Sequence, residues 1–410
     1  MSEWRSRVLQ YIVHLRSLGQ PCPPHVGGNP SLYGETYTAL TYYYLTGTLP
    51  PGFDADAVLI WQDPRSGRFV GPELASWNPP KGTKFDRVHL ETHQTISVLP
   101  LLALCNVKPR YPLVFAQQYL RPRFLAAWLD QRDWREAWNE GNKLLFVLQL
   151  LAYLRDNENL AGAQERLDQV FAWLDAQVDP MTGLWGTNGF VDSFRAMCGA
   201  YHQLLAYYHE ERPIRFPERV VDSVLDLQCF DGGFVPSGGG GACEDVDAVD
   251  ILVNSYERST YRRAHIKIAL KHCLRHLLKL QNRDGGFPYN RHVCFSHMQI
   301  PATRCAPGTS NAFSTWFRVH AIALIAQVLK DDTRVSSERL HFNCSLSMGW
   351  HRSPSGNGVQ HTAPEDSWEC MFRLARTSRF WRTRSRRLLK QPARLVRALA
   401  SRCRTIAARA

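Results

Sequence analysis

Two stretches of this chain, "VLDLQCFDGGFVP" at 224–236 and "LLKLQNRDGGFPY" at 277–289, share the frame L-x-L-Q-x-x-D-G-G-F. In each, an apolar helix end runs into Asp-Gly-Gly, which supplies the positive φ that a helix stop and a tight turn require. A looser copy, "WLDAQVDPMTGLWG" at 173–186, puts Gln177 at the Gln position and Gly183-Leu184-Trp185 at the Gly-Gly-Phe position. A weak internal repeat of this kind constrains the architecture before any motif is named.

After each such turn comes a helix that starts polar and becomes apolar. Six are readable: "SLYGETYTALTYYYLTG", "HLETHQTISVLPLLALC", "WNEGNKLLFVLQLLAYL", "FVDSFRAMCGAYHQLLAYY", "CEDVDAVDILVNSY" and "TSNAFSTWFRVHAIALIAQVL". Between them lie evenly amphipathic segments around 3–17, 53–61, 111–130, 163–177, 216–228 and 262–281, of which 53–61 carries the weakest pattern. A helix apolar on most faces must be buried, and one with a single apolar stripe covers it. The expectation is an all-α (α/α)6 toroid over residues 1–335, with six inner helices sheathed by six outer ones. A Ser, Gly and Pro-rich linker or surface flap is expected over 336–372 and a basic amphipathic or disordered tail over 373–410.

The chain is long and apolar enough for such a core, with 410 residues and 44% hydrophobic content. No run approaches the length of a membrane span, and "MSEWRSRVLQYIVHLRSLGQ" is charged throughout, so a cytoplasmic location is expected. The 11 cysteines are odd in number and often sit in helical patterns, as at Cys105, Cys198 and Cys273, which suits reduced thiols. The net charge of +12 belongs to the tail: residues 371–410 hold 13 Lys and Arg and no acid, which leaves −1 for the rest. Specific nucleic-acid binding is therefore not expected. Leu388, Leu395, Leu399 and Ile406, spaced among arginines, form a pattern that lies on an anionic membrane surface, with a solvated basic extension as the alternative.

One inner-helix start stands apart. "SGGGGACEDVDAVD" places Glu244, Asp245, Asp247 and Asp250 within seven residues, and Glu244 and Asp247 share a helical face with Ile251. A single cap does not account for four acids. Their mutual repulsion in a low-dielectric cavity raises at least one pKa, giving a proton donor, or the group holds a cation or a hydroxyl-rich ligand. Aromatic residues on the inner helices, among them Tyr33, Tyr37, Trp138, Phe194, Phe313 and Trp316, suit carbocations and sugar rings alike. His89 and His93, at i and i+4 on one helical face, have a spacing that can bind zinc with a third ligand but lack the Glu that follows the first His of the metalloprotease motif, and His292/Cys294/His297/Cys305 fits no regular zinc motif. Both are read as cavity, core or loop residues, so no metal is assigned and any cofactor is unknown.

The repeated turn and helix pattern resembles the α/α toroid of squalene-hopene cyclases and of protein prenyltransferase β-subunits. The resemblance implies that the N-terminal ends of the inner helices converge on one mouth of a central cavity. The residues brought there would be Tyr33 and Glu35; His89, Glu91 and His93; Trp138, Asn139, Glu140 and Lys143; Asp192 and Arg195; the acid cluster; and Ser310, Asn311, Ser314, Thr315 and Trp316. Class II terpene cyclases protonate an alkene or epoxide with the middle acid of an Asp-x-Asp-Asp motif. Here "Asp245-Val246-Asp247-Ala248" places Asp247 at the donor position and Asp245 beside it, with Ala248 in place of the last acid and Asp250 nearly one turn on. The zinc ligands of prenyltransferases have no counterpart, since the fifth inner helix lacks Asp-x-Cys and Thr315 stands at or near the His position.

Three readings follow. The first is a terpene cyclase-like or prenyl-chain enzyme with Asp247 as general acid, tuned by Glu244, Asp245 and Asp250, acting on an isoprenoid-like substrate. The second is a glycan-active or glycan-binding toroid, with Asp247, Glu140 and Glu91 as acids and Trp138 as stacking platform for an oligosaccharide. The third is a non-catalytic adaptor.

Overall fold

The computed structural model describes residues 2–75, 77–335 and 340–351. Among them the chain forms helices α1 Glu3–Ser17, α2 Leu32–Thr46, α3 Asp56–Leu59, α4 Pro72–Ala75, α5 Arg87–Leu104, α6 Pro122–Asp130, α7 Ala137–Asp156, α8 Ala163–Gln177, α9 Ser193–His209, α10 Pro217–Leu225, α11 Ala242–Arg258, α12 Arg263–Lys279 and α13 Ala312–Val328. No strand forms among the described residues, only isolated bridges such as Phe295 with Cys305. No helix among them is long and apolar enough to cross a membrane.

Helices α2, α5, α7, α9, α11 and α13 each pack against the next, and α13 returns to α2, so the inner ring closes. These helices are buried nearly all round, as their apolar content requires; in α13 every residue from Ala312 to Ile325 is buried. The outer helices bury one stripe, in α1 Trp4, Val8, Tyr11, Ile12 and Leu15. Helix α1 lies on α2, α8 on α7, α10 on α9 and α11, and α12 on α11 and α13. The fold is an α/α toroid.

The repeated turn is the fastener between neighbouring outer helices. Gln228 Nε2 donates to Gly232 O within its own turn (3.0 Å) and to Ala269 O on α12 (2.8 Å); Gln281 does the same with Gly285 O (2.9 Å) and Trp4 O on α1 (2.8 Å), which closes the outer ring. Gly285, at φ 92°, has no alternative, because a Cβ there would meet Arg7 O. The third copy is built differently. Asp179 carries it, accepting from Met181 N (2.9 Å) and Thr187 Oγ1 (2.6 Å). A fourth copy went unread in the sequence: Gln62 Nε2 reaches Gly67 O (3.0 Å) and Tyr111 O (2.7 Å).

The second outer segment does not form the helix expected over 53–61. It shrinks to α3, which buries only Val58 and Leu59 before the chain turns at Pro64 and Gly67. The third is broken into a 3-10 stretch, Val114–Leu120, and α6, because Pro122 cannot continue the first but suits the start of the second.

Residues 340–351, within the stretch expected as linker or flap, pack across the C-terminal ends of the inner helices. Tyr44 Oη donates to Gly349 O (2.6 Å), His341 N donates to Tyr44 O (3.0 Å), and Met348 reaches the central cavity from below. The remainder of that stretch and the basic tail lie outside the described residues.

Candidate active site

The N-terminal ends of the inner helices surround a cavity of about 340 Å³. Its wall is largely aromatic, with Phe85, Tyr289, Phe295, Phe313 and Phe317, and its mouth is polar, with Trp138, Asn139, Asn142 and Gln299. Three imidazoles also line it, those of His93, His202 and His297. Among its described lining residues Asp247 is the one carboxylic acid.

Helix α11 starts after Gly241 with no side-chain cap, so its acids are not spent on capping in the usual way. Asp245 points out of the ring. Its Oδ1 accepts from Phe234 N (2.9 Å) and its Oδ2 from Arg318 Nη1 (2.7 Å), both ions fully buried, with His276 Nε2 at 3.6 Å. Burial would raise its pKa, but His276 and Arg318 outweigh burial and hold it at about 2. It is a structural anion that ties the Gly-Gly-Phe turn to α13.

Asp247 has the opposite environment. It is 1% exposed, neither carboxylate oxygen accepts a hydrogen bond from a described residue, and the Cys198 thiol lies alongside. Burial first, then Glu244 and Asp250, push its pKa well above the usual carboxylate range against a lowering contribution from the Cys198 thiol, which favours the protonated form. Glu244 lies one turn earlier, raised by burial, accepting from Tyr289 Oη (2.7 Å) and Cys243 Sγ (3.2 Å). Asp250 sits a turn deeper, bonded to Asn254 Nδ2 (2.9 Å), and burial raises it to about 7.

The other residues expected at the mouth divide. His93 lines the cavity, and its Nδ1 meets Tyr33 Oη at 2.8 Å; Tyr33 stacks on Tyr37, and Tyr37 on Trp316, at 5.9 and 4.9 Å between ring centroids. Trp138 stands at the mouth, with the Lys84 ammonium over its ring. Arg195 and Trp138 share a small recess beside the mouth, where Arg195 is 3.9 Å from Asp192. Asp192 and Asn311 are N-caps, accepting from Arg195 N (2.9 Å) and Ser314 N (2.8 Å).

Three carboxylates expected at the cavity are spent on cations elsewhere. Glu35 accepts from Cys22 N (2.9 Å) and pairs with Arg16 (2.8 Å); Glu91 pairs with Arg87 (2.6 Å); Glu140 is held between Arg132 and Lys143 (2.7 Å each). None lines the cavity.

Sequence reasoning missed Glu73. From α4 this buried acid accepts from Ser31 Oγ, Leu32 N, Tyr33 N and Gln94 Nε2 at 2.8–3.1 Å, capping α2 from outside. It also passed over His202 and Tyr289, and weighed His297 only as a loop residue. The signal available for the last was its Thr303-anchored loop, which has no periodicity to read.

Neither a protein-family model nor a curated protein sequence matches this chain. Solved structures with a similar arrangement include a polysaccharide lyase (14% identity, TM-score 0.45, covering 80% of this chain and 98% of that one). They also include a type II terpene cyclase from Scytonema in complex with merosterolic acid A (13%, 0.45, 80% and 99%). A third is a possible member of the GH105 family from Salmonella enterica subsp. enterica serovar Paratyphi A (14%, 0.40, 80% and 93%). At this level of likeness the chemistry has to be argued from the cavity itself.

Proposed function

We propose that the protein is a proton-initiated enzyme of terpene-cyclase type, in which Asp247 protonates an alkene or epoxide of an isoprenoid-like substrate held in the central cavity. The observation that carries this reading is Asp247 itself: a buried, unpartnered acid on the wall of an aromatic cavity. Burial and the neighbouring acids favour the protonated form, the form a proton donor must hold, and the acid lies on the wall of the cavity where a substrate would sit. The neighbouring π-faces of Phe295, Phe313 and Tyr289 stabilise the positive charge that follows. The cavity volume lies within the range of small-molecule sites. A basic tail would bring such an enzyme to the anionic membrane surface where apolar substrates dissolve.

A glycan-active reading has one observation in its favour, the half-buried Trp138 ring beside Asn139 and Asn142 at the mouth. Hydrolysis of a glycosidic bond uses two facing carboxyl groups, however, and Glu91 and Glu140 are both engaged by arginines outside the cavity. The test is incubation of wild type and Asp247→Asn with linear isoprenoids, their epoxides and oligosaccharides, followed by mass spectrometry. An isomeric isoprenoid product lost in the variant supports the proposal; an altered sugar, or a product that persists in the variant, refutes it.

A further inference from the structure

If Asp247 adds a proton to carbon and the product is an isomer of the substrate, a group on the same cavity must remove a proton; the inference that follows rests on that reading of Asp247. The three imidazoles on the wall are the candidates, and their hydrogen bonds tell them apart. His202 Nδ1 donates to Cys198 O (2.7 Å), which leaves Nε2 as a lone pair, but it hangs from the same turn of α9 that touches Asp247. A base there faces the point of protonation, where the cation begins, not where it ends. His93 Nδ1 is engaged by the Tyr33 hydroxyl at 2.8 Å, and with the ring proton on Nε2 its one lone pair is spent on Tyr33.

His297 differs from both. Its Nε2 is 3.4 Å from Tyr37 Oη, and the Ser97 hydroxyl beside Tyr37 gives its own proton to His93 O (2.8 Å). Where Tyr37 Oη accepts from His297 Nε2–H, Nδ1 keeps no described hydrogen-bond partner. Nδ1 is then an unoccupied lone pair. The ring is caged by Phe313 (4.2 Å), the Tyr33 edge (4.5 Å), His93 (5.1 Å) and Tyr37 (5.6 Å) between centroids. Electron-rich faces stabilise an imidazolium once it forms. These partners belong to α2, α5 and α13, whereas Asp247 and its neighbours lie on α11 and α9.

The backbone holding the ring is itself unusual. Met298 and Gln299, the two residues that follow, adopt φ 50° and 61°, a left-handed conformation that non-glycine residues avoid. The turn is pinned by Thr303 Oγ1, which accepts from His297 N (2.8 Å) and donates to Ile300 O (2.8 Å), and by paired Phe295–Cys305 backbone bonds. Strain kept in place by surrounding bonds marks a position that the fold is built to present. Burial, which holds the imidazole at about 3, keeps it from taking the proton of Asp247 in the resting site; a carbocation is acidic enough to protonate it regardless.

We propose that His297 Nδ1 is the proton acceptor that ends the reaction Asp247 begins. The Asp247 O–H bond breaks as a C–H bond forms on the substrate. Beside His297 a C–H bond next to the final cationic carbon breaks, its electron pair becomes the new C=C bond, and the proton passes to Nδ1. His297 then releases that proton to water, Asp247 takes one back, and substrate and product have the same formula.

The test runs wild type, His297→Gln and His202→Gln in D₂O and in ¹⁸O-labelled water, with folding checked by circular dichroism. All three are expected to place one solvent deuterium on the substrate, the signature of Asp247. With His297→Gln the alkene share of the product should fall about tenfold or more, replaced by an alcohol carrying ¹⁸O. An unchanged alkene with His297→Gln, or diversion by His202→Gln instead, overturns the assignment while leaving Asp247 in place; no deuterium uptake in wild type overturns the reading of Asp247. Nitrogen NMR of the imidazole needs no turnover: a neutral ring with the proton on Nε2 through neutral pH is expected, and a proton on Nδ1 rules His297 out.

Discussion

Asp250→Asn should make the protein more stable at neutral pH. Asp250 is fully buried, one oxygen accepts from Asn254 Nδ2 (2.9 Å) and the other has no described partner. Burial raises its pKa from 3.8 to about 7. Because the unfolded chain releases this proton near pH 4 and the folded chain retains it, the unfolded state gains stability as pH rises between those values. The folded protein therefore loses stability from about pH 4 upward and levels off beyond about pH 7, by about 1.4 kcal/mol per unit and about 4 kcal/mol in all at pH 7. Asparagine has the shape of the protonated acid and nothing to ionise. The substitution should recover most of that difference at pH 7, about 5 °C in melting temperature for a domain of this size, and almost none at pH 4. Thermal melts of both proteins from pH 4 to 8 measure it. A variant that melts lower at pH 7, or a difference that does not change with pH, would refute the account of this acid as an uncharged buried group.

Arg318→Met leaves Asp245 buried without its cation and should cost about 3–5 kcal/mol by chemical denaturation, partly restored when Asp245→Leu is added. Gln281→Leu removes the bond that joins its turn to Trp4 O on α1 and the one that closes the turn on Gly285 O, and should cost about 1–3 kcal/mol, with the loss appearing first as faster hydrogen exchange in α1. Gly285→Ala should be more damaging than Gly82→Ala: both glycines sit at positive φ, but a Cβ on Gly285 would collide with Arg7 O, whereas one on Gly82 would meet nothing within 4 Å. Substrate turnover should be lost about a hundredfold or more in Asp247→Asn, and wild-type turnover should fall as pH rises through the raised pKa of that acid and not on the acid side, since the protonated form is the active one.

The inner ring was legible because its signals are local. Apolar runs after Asp-Gly-Gly turns mark helices that must be buried, and the crowding of Glu244, Asp247 and Ile251 on one face follows from helical spacing alone. The division of labour among the acids was not legible, because it depends on partners far away in sequence. Asp245 and Asp247 are two residues apart and look equivalent, yet Arg318, 73 residues on, holds one as an anion while the other has only the Cys198 thiol beside it among the described residues. Glu35, Glu91 and Glu140 looked available for the same reason; Arg16, Arg87 and Arg132 engage them. The short α3 shows the converse limit, where an amphipathic run was outweighed by turn residues on both sides.

The protonation state of Asp247 is the measurement to make, by infrared difference spectroscopy of wild type against Asp247→Asn across a pH titration. A carboxylic-acid carbonyl band present at neutral pH in wild type and missing in the variant is the expected result, with its loss only at alkaline pH. A carboxylate signal from Asp247 already at pH 5 would mean that the cavity holds an anion, not a proton donor.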